Sequence, residues 1–217
     1  MNTLMELLDP VEGRVLGALI EKEATTPEYY PLSLNALVTA CNQKSNRYPV
    51  VEYDEGTVRD AIERLRAKRL AMVIIGSGRV TKYSQTISEK LNLGRRELAA
   101  LCVLLLRGPQ TLGEVKDRAE RIFSFADLEE AERTLEKLAE APSGALVVKL
   151  PRQPGQKEAR YAHLLAGEPV IESTEEVMEV ASAPGSRITQ LESEIQELRI
   201  ELADLKRRFE ELEAQLR

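Results

Sequence analysis

The sequence predicts a mainly α-helical protein of the α+β class, in which two similar groups of helices each end in a small β-hairpin. Three observations support this prediction. Apolar residues recur at helical spacing in segments of both groups, and a pair of short strand-like segments follows each group. The C-terminal segment, residues 187–217, has a regular apolar heptad that predicts one further helix.

The first group of elements begins near the N-terminus. Its first helix is predicted after Asp9-Pro10, because Asp is a good N-cap and Pro favours the first helical position. A second helix is predicted from Leu32 or Ser33, and a third from Asp54. The segments "LAMVIIG" and "VTKYSQT", joined by "SGR", are predicted to form a hairpin. The predicted order is helix, helix, helix, hairpin.

The second group repeats this order. "LGRRELAALCVLLLRG" predicts a strongly apolar helix closed by a Gly-Pro pair. Thr111, with Glu114 three residues later, is a capping-box pattern that predicts a helix through Ala119. Asp127 is the predicted N-cap of a third helix. "GALVVKLP" and "ARYAHLLA" predict the strands of a second hairpin.

Three helices followed by a hairpin are typical of a winged helix-turn-helix domain, in which the hairpin is the wing. The sequence therefore predicts two tandem winged helix-turn-helix domains followed by a C-terminal coiled-coil helix. The predicted boundaries are 1–90 for the first winged-helix domain, 91–166 for the second, 167–186 for an acidic linker and 187–217 for the coiled-coil helix.

The C-terminal helix is predicted to form a parallel homodimer. Its apolar residues alternate in steps of three and four, as at the a and d positions of a coiled coil, and its e and g positions carry opposite charges. A single amphipathic helix packed on its own domains is the alternative interpretation. The residues predicted to form the dimer seam are Ile188, Leu191, Ile195, Leu198, Leu202, Leu205, Phe209 and Leu212.

The acidic charge of the chain is confined to its C-terminal part. Residues 1–90 and 91–170 are each neutral, and residues 171–217 carry the whole net charge of −6. A neutral domain can still present a basic face to a polyanion.

The start "MNTLMELLDP" lacks the features of a secretion signal, and the two cysteines show no CxxC spacing. We therefore expect a cytoplasmic protein without a membrane partner.

The sequence contains none of the common catalytic motifs, such as HExxH, GxSxG or a Gly-rich phosphate loop. The single histidine, His163, is expected on the surface or half-buried in the last strand. Cys41 and Cys102 fall on apolar helix faces, so both are expected in the core. We expect no enzymatic activity, no cofactor and no bound metal.

Basic and polar residues of the first domain indicate DNA binding, in which the third helix enters the major groove and the wing reaches the backbone. For the loop before this helix, the alternative is that its amides bridge the second and third helices. The predicted nucleic-acid-binding residues, taken from loop, helix and wing, are Asn42, Lys44, Asn46, Arg47, Arg59, Arg66, Arg79 and Lys82.

The second domain differs in charge. Its third helix is acidic and should repel phosphates, which favours contact with another protein. Its wing is basic, through Arg152, Lys157 and Arg160. The predicted function is that of a dimeric DNA-binding protein resembling a transcription regulator, which reads duplex DNA mainly with the first domain. The alternative is a protein-protein interaction scaffold that binds no nucleic acid.

Four segments together resemble the YceH family of uncharacterised bacterial proteins. They are "TTPEYYPLSLNALVTACNQKSNRYPV", "GRVTKYSQ", "LLLRGPQTLGEVKDRA" and "PRQPGQKEARYAHL", and the resemblance covers roughly residues 10–165. It implies a tandem winged-helix fold and a cytoplasmic location. It implies no activity, ligand or catalytic residue.

Overall fold

The computed structural model describes residues 7–74, 80–153 and 155–169. The first half of this region contains three helices and three short strands, and a fourth helix leads into the second half. In chain order these elements are α1 (Pro10–Thr25), β1 (Leu32–Ser33), α2 (Leu34–Cys41), α3 (Glu55–Ala67), β2 (Ala71–Ile74), β3 (Lys82–Gln85) and α4 (Ile87–Leu91), with a 3₁₀ turn at Pro27–Tyr29.

The second half repeats the order of the first, helix, strand, helix, helix, strand, strand. Its elements are α5 (Arg95–Arg107), β4 (Gln110–Thr111), α6 (Leu112–Ala119), α7 (Leu128–Ala139), β5 (Val147–Lys149) and β6 (Arg160–His163). The mixed α+β class predicted from the sequence is confirmed. None of the helices in the described ranges is long and apolar enough to cross a membrane.

Each half contains one three-stranded antiparallel sheet, with the strand orders β1-β3-β2 and β4-β6-β5. In the first sheet, Tyr83 of β3 lies opposite both Leu32 and Val73. In the second sheet, Tyr161 of β6 occupies the equivalent central position. The sequence predicted only the two hairpins. The third strand of each sheet has two residues, which is too short to produce a periodic pattern.

Five of the helices, α1, α2, α3, α6 and α7, begin close to the residues that the sequence indicated. In these five the side chain of the N-cap residue accepts a hydrogen bond from the backbone N–H three residues on, which satisfies a donor that has no partner within the helix. Two of these caps are full capping boxes, Asp9 with Glu12 and Thr111 with Glu114. The other caps of this type are Ser33, Asp54 and Asp127.

One hydrophobic core runs through both halves and is centred on the contact between α1 and α5. The helices approach closely at Gly17, where an added Cβ would lie 2.8 Å from Leu106 Cδ2. At Gly13, one turn earlier, the nearest atom to an added Cβ is Leu105 Cδ2 at 3.7 Å. The Cys102 thiol donates to the Gly17 carbonyl over 3.3 Å, which marks the same crossing. The predicted boundary between the first and second winged-helix domains, near residue 90, stays a prediction.

Several sequence-based predictions concern residues outside the described ranges. These are Arg79, most of the predicted linker and the whole predicted coiled-coil segment, 187–217, with all eight seam residues.

Candidate nucleic-acid interface

Helix α3 places its apolar face in the core and its charged face in solvent. Val58, Ala61, Ile62 and Leu65 are fully buried, at the spacing of one helix face. Arg59 and Arg66 lie on the exposed side, with side chains 54% and 39% accessible. The amphipathic pattern therefore presents both predicted DNA-contacting arginines of this helix to solvent.

Both of these arginines form ion pairs within the helix. Arg59 pairs with Glu55 and Arg66 pairs with Glu63. Exposed pairs of this kind contribute at most about 1 kcal/mol, because water and salt screen them. A phosphate could therefore replace either glutamate as the partner of its arginine.

The C-terminal end of α3 is attached to the start of α1. Arg64 Nη2 lies 2.8 Å from Asp9 Oδ2, and Lys68 Nζ lies 2.7 Å from Glu12 Oε2. The Glu12 side chain is only 1% exposed, so this contact is shielded from solvent. These two cations position α3 on α1. The Lys68 side chain is 15% exposed, so it is less accessible to a ligand than Arg59 and Arg66.

The loop that precedes α3, residues 42–53, uses its amide side chains to hold its own backbone. Asn42 Oδ1 accepts from the Tyr53 N–H, and its Nδ2 donates to the Tyr53 carbonyl, both over 2.8 Å. Asn46 Oδ1 accepts from the Arg107 guanidinium of α5. The Asn42 contacts join the end of α2 to the residue before the N-cap of α3, as in the alternative interpretation that the loop amides bridge the second and third helices, whereas Asn46 contacts α5.

Arg47 is buried, and this corrects its assignment as an exposed phosphate contact. Its side chain is 0% exposed, and its Nη2 lies 2.6 Å from Glu21 Oε2 of α1. The same guanidinium donates to the Ala40 carbonyl at the end of α2, over 2.8 Å from Nη2. Reaching a phosphate would require breaking these bonds and leaving the Glu21 carboxylate buried without its partner.

The remaining predicted contacts are two exposed lysines. Lys44 lies in the loop, and Lys82 is the first residue of β3, the returning strand of the hairpin. The four exposed cations among the predicted contacts that the structure describes, Lys44, Arg59, Arg66 and Lys82, are together called the α3 surface.

Three buried charged residues of α1, Glu12, Arg14 and Glu21, were not identified from the sequence. Arg14 donates to the carbonyls of Cys41, over 3.1 Å, and of Pro49, over 2.6 Å, while Glu21 receives Arg47. Arg14 and Glu21 are seven residues apart within an otherwise apolar helix stripe. Charged residues two turns apart on the core-facing side of a helix could have indicated, from the sequence alone, that α1 binds polar groups of the loop before α3.

The corresponding surface of the second half is acidic. On α7, Glu129 and Glu136 are exposed, and Arg133 pairs with Glu129 over 3.2 Å. In the second hairpin, Arg152 and Lys157 are exposed. Arg160 instead contacts the Glu114 carboxylate, with Nη1 3.0 Å from Oε2. The acidic character of α7 agrees with the sequence, and the repulsion of phosphates by this helix stays a prediction.

The residues with reactive side chains are shielded. Burial raises the pKa of Cys41 to about 12, and it also raises the pKa of Cys102. Burial lowers the pKa of His163 to about 4, and the histidine is half-buried in β6. Within the described ranges, no group of three His, Cys, Asp or Glu residues could hold a metal ion.

These features define a mixed α+β protein of two repeated helix-and-sheet halves. The chain belongs to the family described as "Protein of unknown function, DUF480", which matches residues 8–156. This confirms the family resemblance predicted from the four sequence segments.

Relatives match almost the whole chain. A "UPF0502 protein" of Solibacter usitatus is 57% identical over 207 residues, covering 94% of this chain and 98% of the relative. One from Pelobacter propionicus is 51% identical, covering 96% and 98%. A more distant relative in Photobacterium profundum is 44% identical and covers 93% and 96%.

Proposed function

We propose that each half is a winged helix-turn-helix unit. The support is the order helix, strand, helix, helix, strand, strand, which occurs twice, together with the strand orders β1-β3-β2 and β4-β6-β5. In such a unit α3 and α7 are the third helices, and the β2-β3 and β5-β6 hairpins are the wings. A helix on a helix-turn-helix scaffold can enter the major groove of DNA.

The function that this arrangement supports best is duplex DNA binding by the first unit. The observation that carries it is the difference in charge between two equivalent helices: α3 carries three arginines and three acidic residues, whereas α7 carries four glutamates against Arg133 and Lys137. Arg59 and Arg66 of α3 are exposed to solvent. The protein would act by binding, in the manner of a cytoplasmic transcription regulator, and not by catalysis.

The heptad pattern supports a parallel homodimer through residues 187–216. A dimer presents two α3 surfaces to one duplex and gains affinity without new contacts, because the second binding event is intramolecular. Changing Leu198 and Leu205 to Asp places charges at seam positions and should give a monomer. Sedimentation equilibrium tests this, and a wild-type protein that is monomeric at tens of micromolar would contradict it.

Fluorescence anisotropy with full-length protein and labelled duplexes, random and genomic, tests the DNA proposal. If all four cations of the α3 surface reach phosphates, log K should fall with log salt with a slope of about −3.6. Changing Arg59 and Arg66 together to Glu should abolish binding. Arg133→Glu on α7 is the matched control and should change little. The absence of binding to every duplex at about 50 mM salt would exclude this function.

A protein-interaction scaffold is the second candidate, favoured by exposed apolar side chains on the first hairpin. Met72 and Val80 are 46% and 61% exposed. Apolar groups contribute little to phosphate contacts but are common at protein interfaces. If duplex binding is absent, changing both residues to Ser should weaken the capture of a partner protein from lysate, while Leu128→Ser on α7 should not.

A further inference from the structure

A second basic surface lies where the loop of the first half meets the second half. The Tyr48 N–H donates to the Leu106 carbonyl near the end of α5, over 2.9 Å, and Arg107 donates to Asn46. A cleft of about 20 Å³ at this position is lined in part by Arg107, Arg118 and Arg121. We call Tyr48 and these three arginines the junction surface. The cleft accommodates no more than a water molecule, so a ligand would lie across the arginine side chains at its mouth.

The junction surface has an excess of positive charge. Glu21 is the one carboxylate that lines the cleft, and it is already paired with Arg47. Among the residues that the structure describes, no carboxylate lies within ion-pair distance of Arg107 or Arg121, while Arg118 shares Glu114 with Arg160. Burial lowers the pKa of Arg107, and the nearby charges of Arg118 and Arg47 lower it further. An anion at this position would relieve the repulsion.

The same surface presents an aromatic ring on a fixed backbone. Tyr48 is 74% exposed, although its backbone N–H is bonded to α5. The next residue, Pro49, is held through its carbonyl by the buried Arg14, over 2.6 Å. Because this part of the loop is already ordered, little conformational entropy would be lost on binding. Tyr48 is joined through its backbone to the residue that precedes Arg107. An exposed aromatic residue combined with several cations on one surface can bind single-stranded nucleic acid, whose bases stack and whose phosphates pair with the cations.

We propose that the junction surface binds single-stranded nucleic acid, with a base stacked on Tyr48 and the backbone phosphates held by Arg107, Arg118 and Arg121. This site is separate from the α3 surface and does not depend on duplex binding there.

The test uses full-length protein and fluorescein-labelled oligo(dT) in anisotropy titrations at several salt concentrations. Tyr48→Ala should weaken binding about tenfold, the typical loss for one stacked base. Arg121→Gln should weaken binding and make the salt slope shallower by about 0.7, one single-strand phosphate contact. The matched controls are Tyr29→Ala, whose tyrosine is 71% exposed elsewhere, and Arg133→Gln on α7. Neither control should change the affinity.

Three results would overturn the proposal. The first is an oligo(dT) affinity that is the same for wild type, Tyr48→Ala and Arg121→Gln. The second is displacement of oligo(dT) by an equal concentration of inorganic phosphate, since this would show a simple anion site without stacking. The third is binding of polyglutamate without binding of oligo(dT), since the surface would then recognise acidic protein. A thermal melt of each variant establishes that the substitutions at these exposed positions leave the fold intact.

Discussion

Replacing Arg47 by Met should destabilise the protein strongly, because Arg47 neutralises a buried carboxylate. Its guanidinium donates to both Glu21 oxygens, over 3.2 and 2.6 Å, and to the Ala40 carbonyl, over 2.8 Å. The Glu21 side chain is 7% exposed, so the substitution leaves a charge with little access to water. Removing one partner of a buried pair costs about 3–5 kcal/mol, and a buried acceptor at Ala40 loses its donor as well.

Urea denaturation followed by circular dichroism measures this loss. With a slope of roughly 2 kcal/mol per molar urea, the midpoint should fall by about 1.5–2.5 M. The double variant Glu21→Gln with Arg47→Met removes the charge together with its partner, so it should recover at least about 2 kcal/mol of the loss. Arg59→Met, at an exposed pair, is the control and should stay within about 0.5 kcal/mol of wild type. A loss below about 1 kcal/mol for Arg47→Met would refute the reasoning and return Arg47 to the set of possible phosphate contacts.

Three further predictions concern the core and the shielded side chains. Gly13→Ala should leave the free energy of unfolding unchanged or raise it by up to about 1 kcal/mol. Gly17→Ala should lower the free energy of unfolding by about 1–3 kcal/mol, because of these two glycines only Gly17 lacks space for a Cβ. Urea denaturation of the two variants measures both effects. Burial lowers the pKa of His163 to about 4, so the unfolded chain takes up its proton first as the pH falls. The free energy of unfolding should therefore decline by up to about 3 kcal/mol between about pH 6.5 and 4, and His163→Gln should reduce this decline. Cys41 and Cys102 should not react with Ellman's reagent at about pH 8 in the native protein but should react in urea, since burial disfavours both thiolates.

The helices were predictable because their signals are local. The caps at Asp9, Thr111 and Asp127 and the apolar spacing that follows each of them depend on a few neighbouring residues. Strands β1 and β4 were missed because a two-residue strand exists only through pairing with a strand about 50 residues away. No periodicity within "LS" or "QT" can indicate that pairing. Helix α4 was also missed, since five residues are too few to establish a helical pattern.

The candidate site was predictable in the helix and not in the loop. The helical period alone places Arg59 and Arg66 opposite the apolar stripe of α3, so their exposure follows from the sequence. In the loop, amide and guanidinium groups can donate hydrogen bonds either to a ligand or to a backbone carbonyl that has no other partner. Asn42 and Arg47 bind backbone groups of this chain, because a loop packed against helices must satisfy its own polar atoms. Residue type could not distinguish these two uses.

Because the two halves share one topology, a difference in function between them must come from their side chains. The two halves share the order of elements and of strands, so topology gives α3 and α7 equivalent positions. The two helices nevertheless differ in charge, because α3 has equal numbers of basic and acidic residues and α7 has two more acidic than basic residues, and side chains decide what a surface binds. A polyanion would therefore meet an excess of carboxylates at α7 but not at α3. If the first unit binds duplex DNA as proposed, a variant that exchanges the exposed charges of α3 and α7 should transfer duplex binding from the first half to the second.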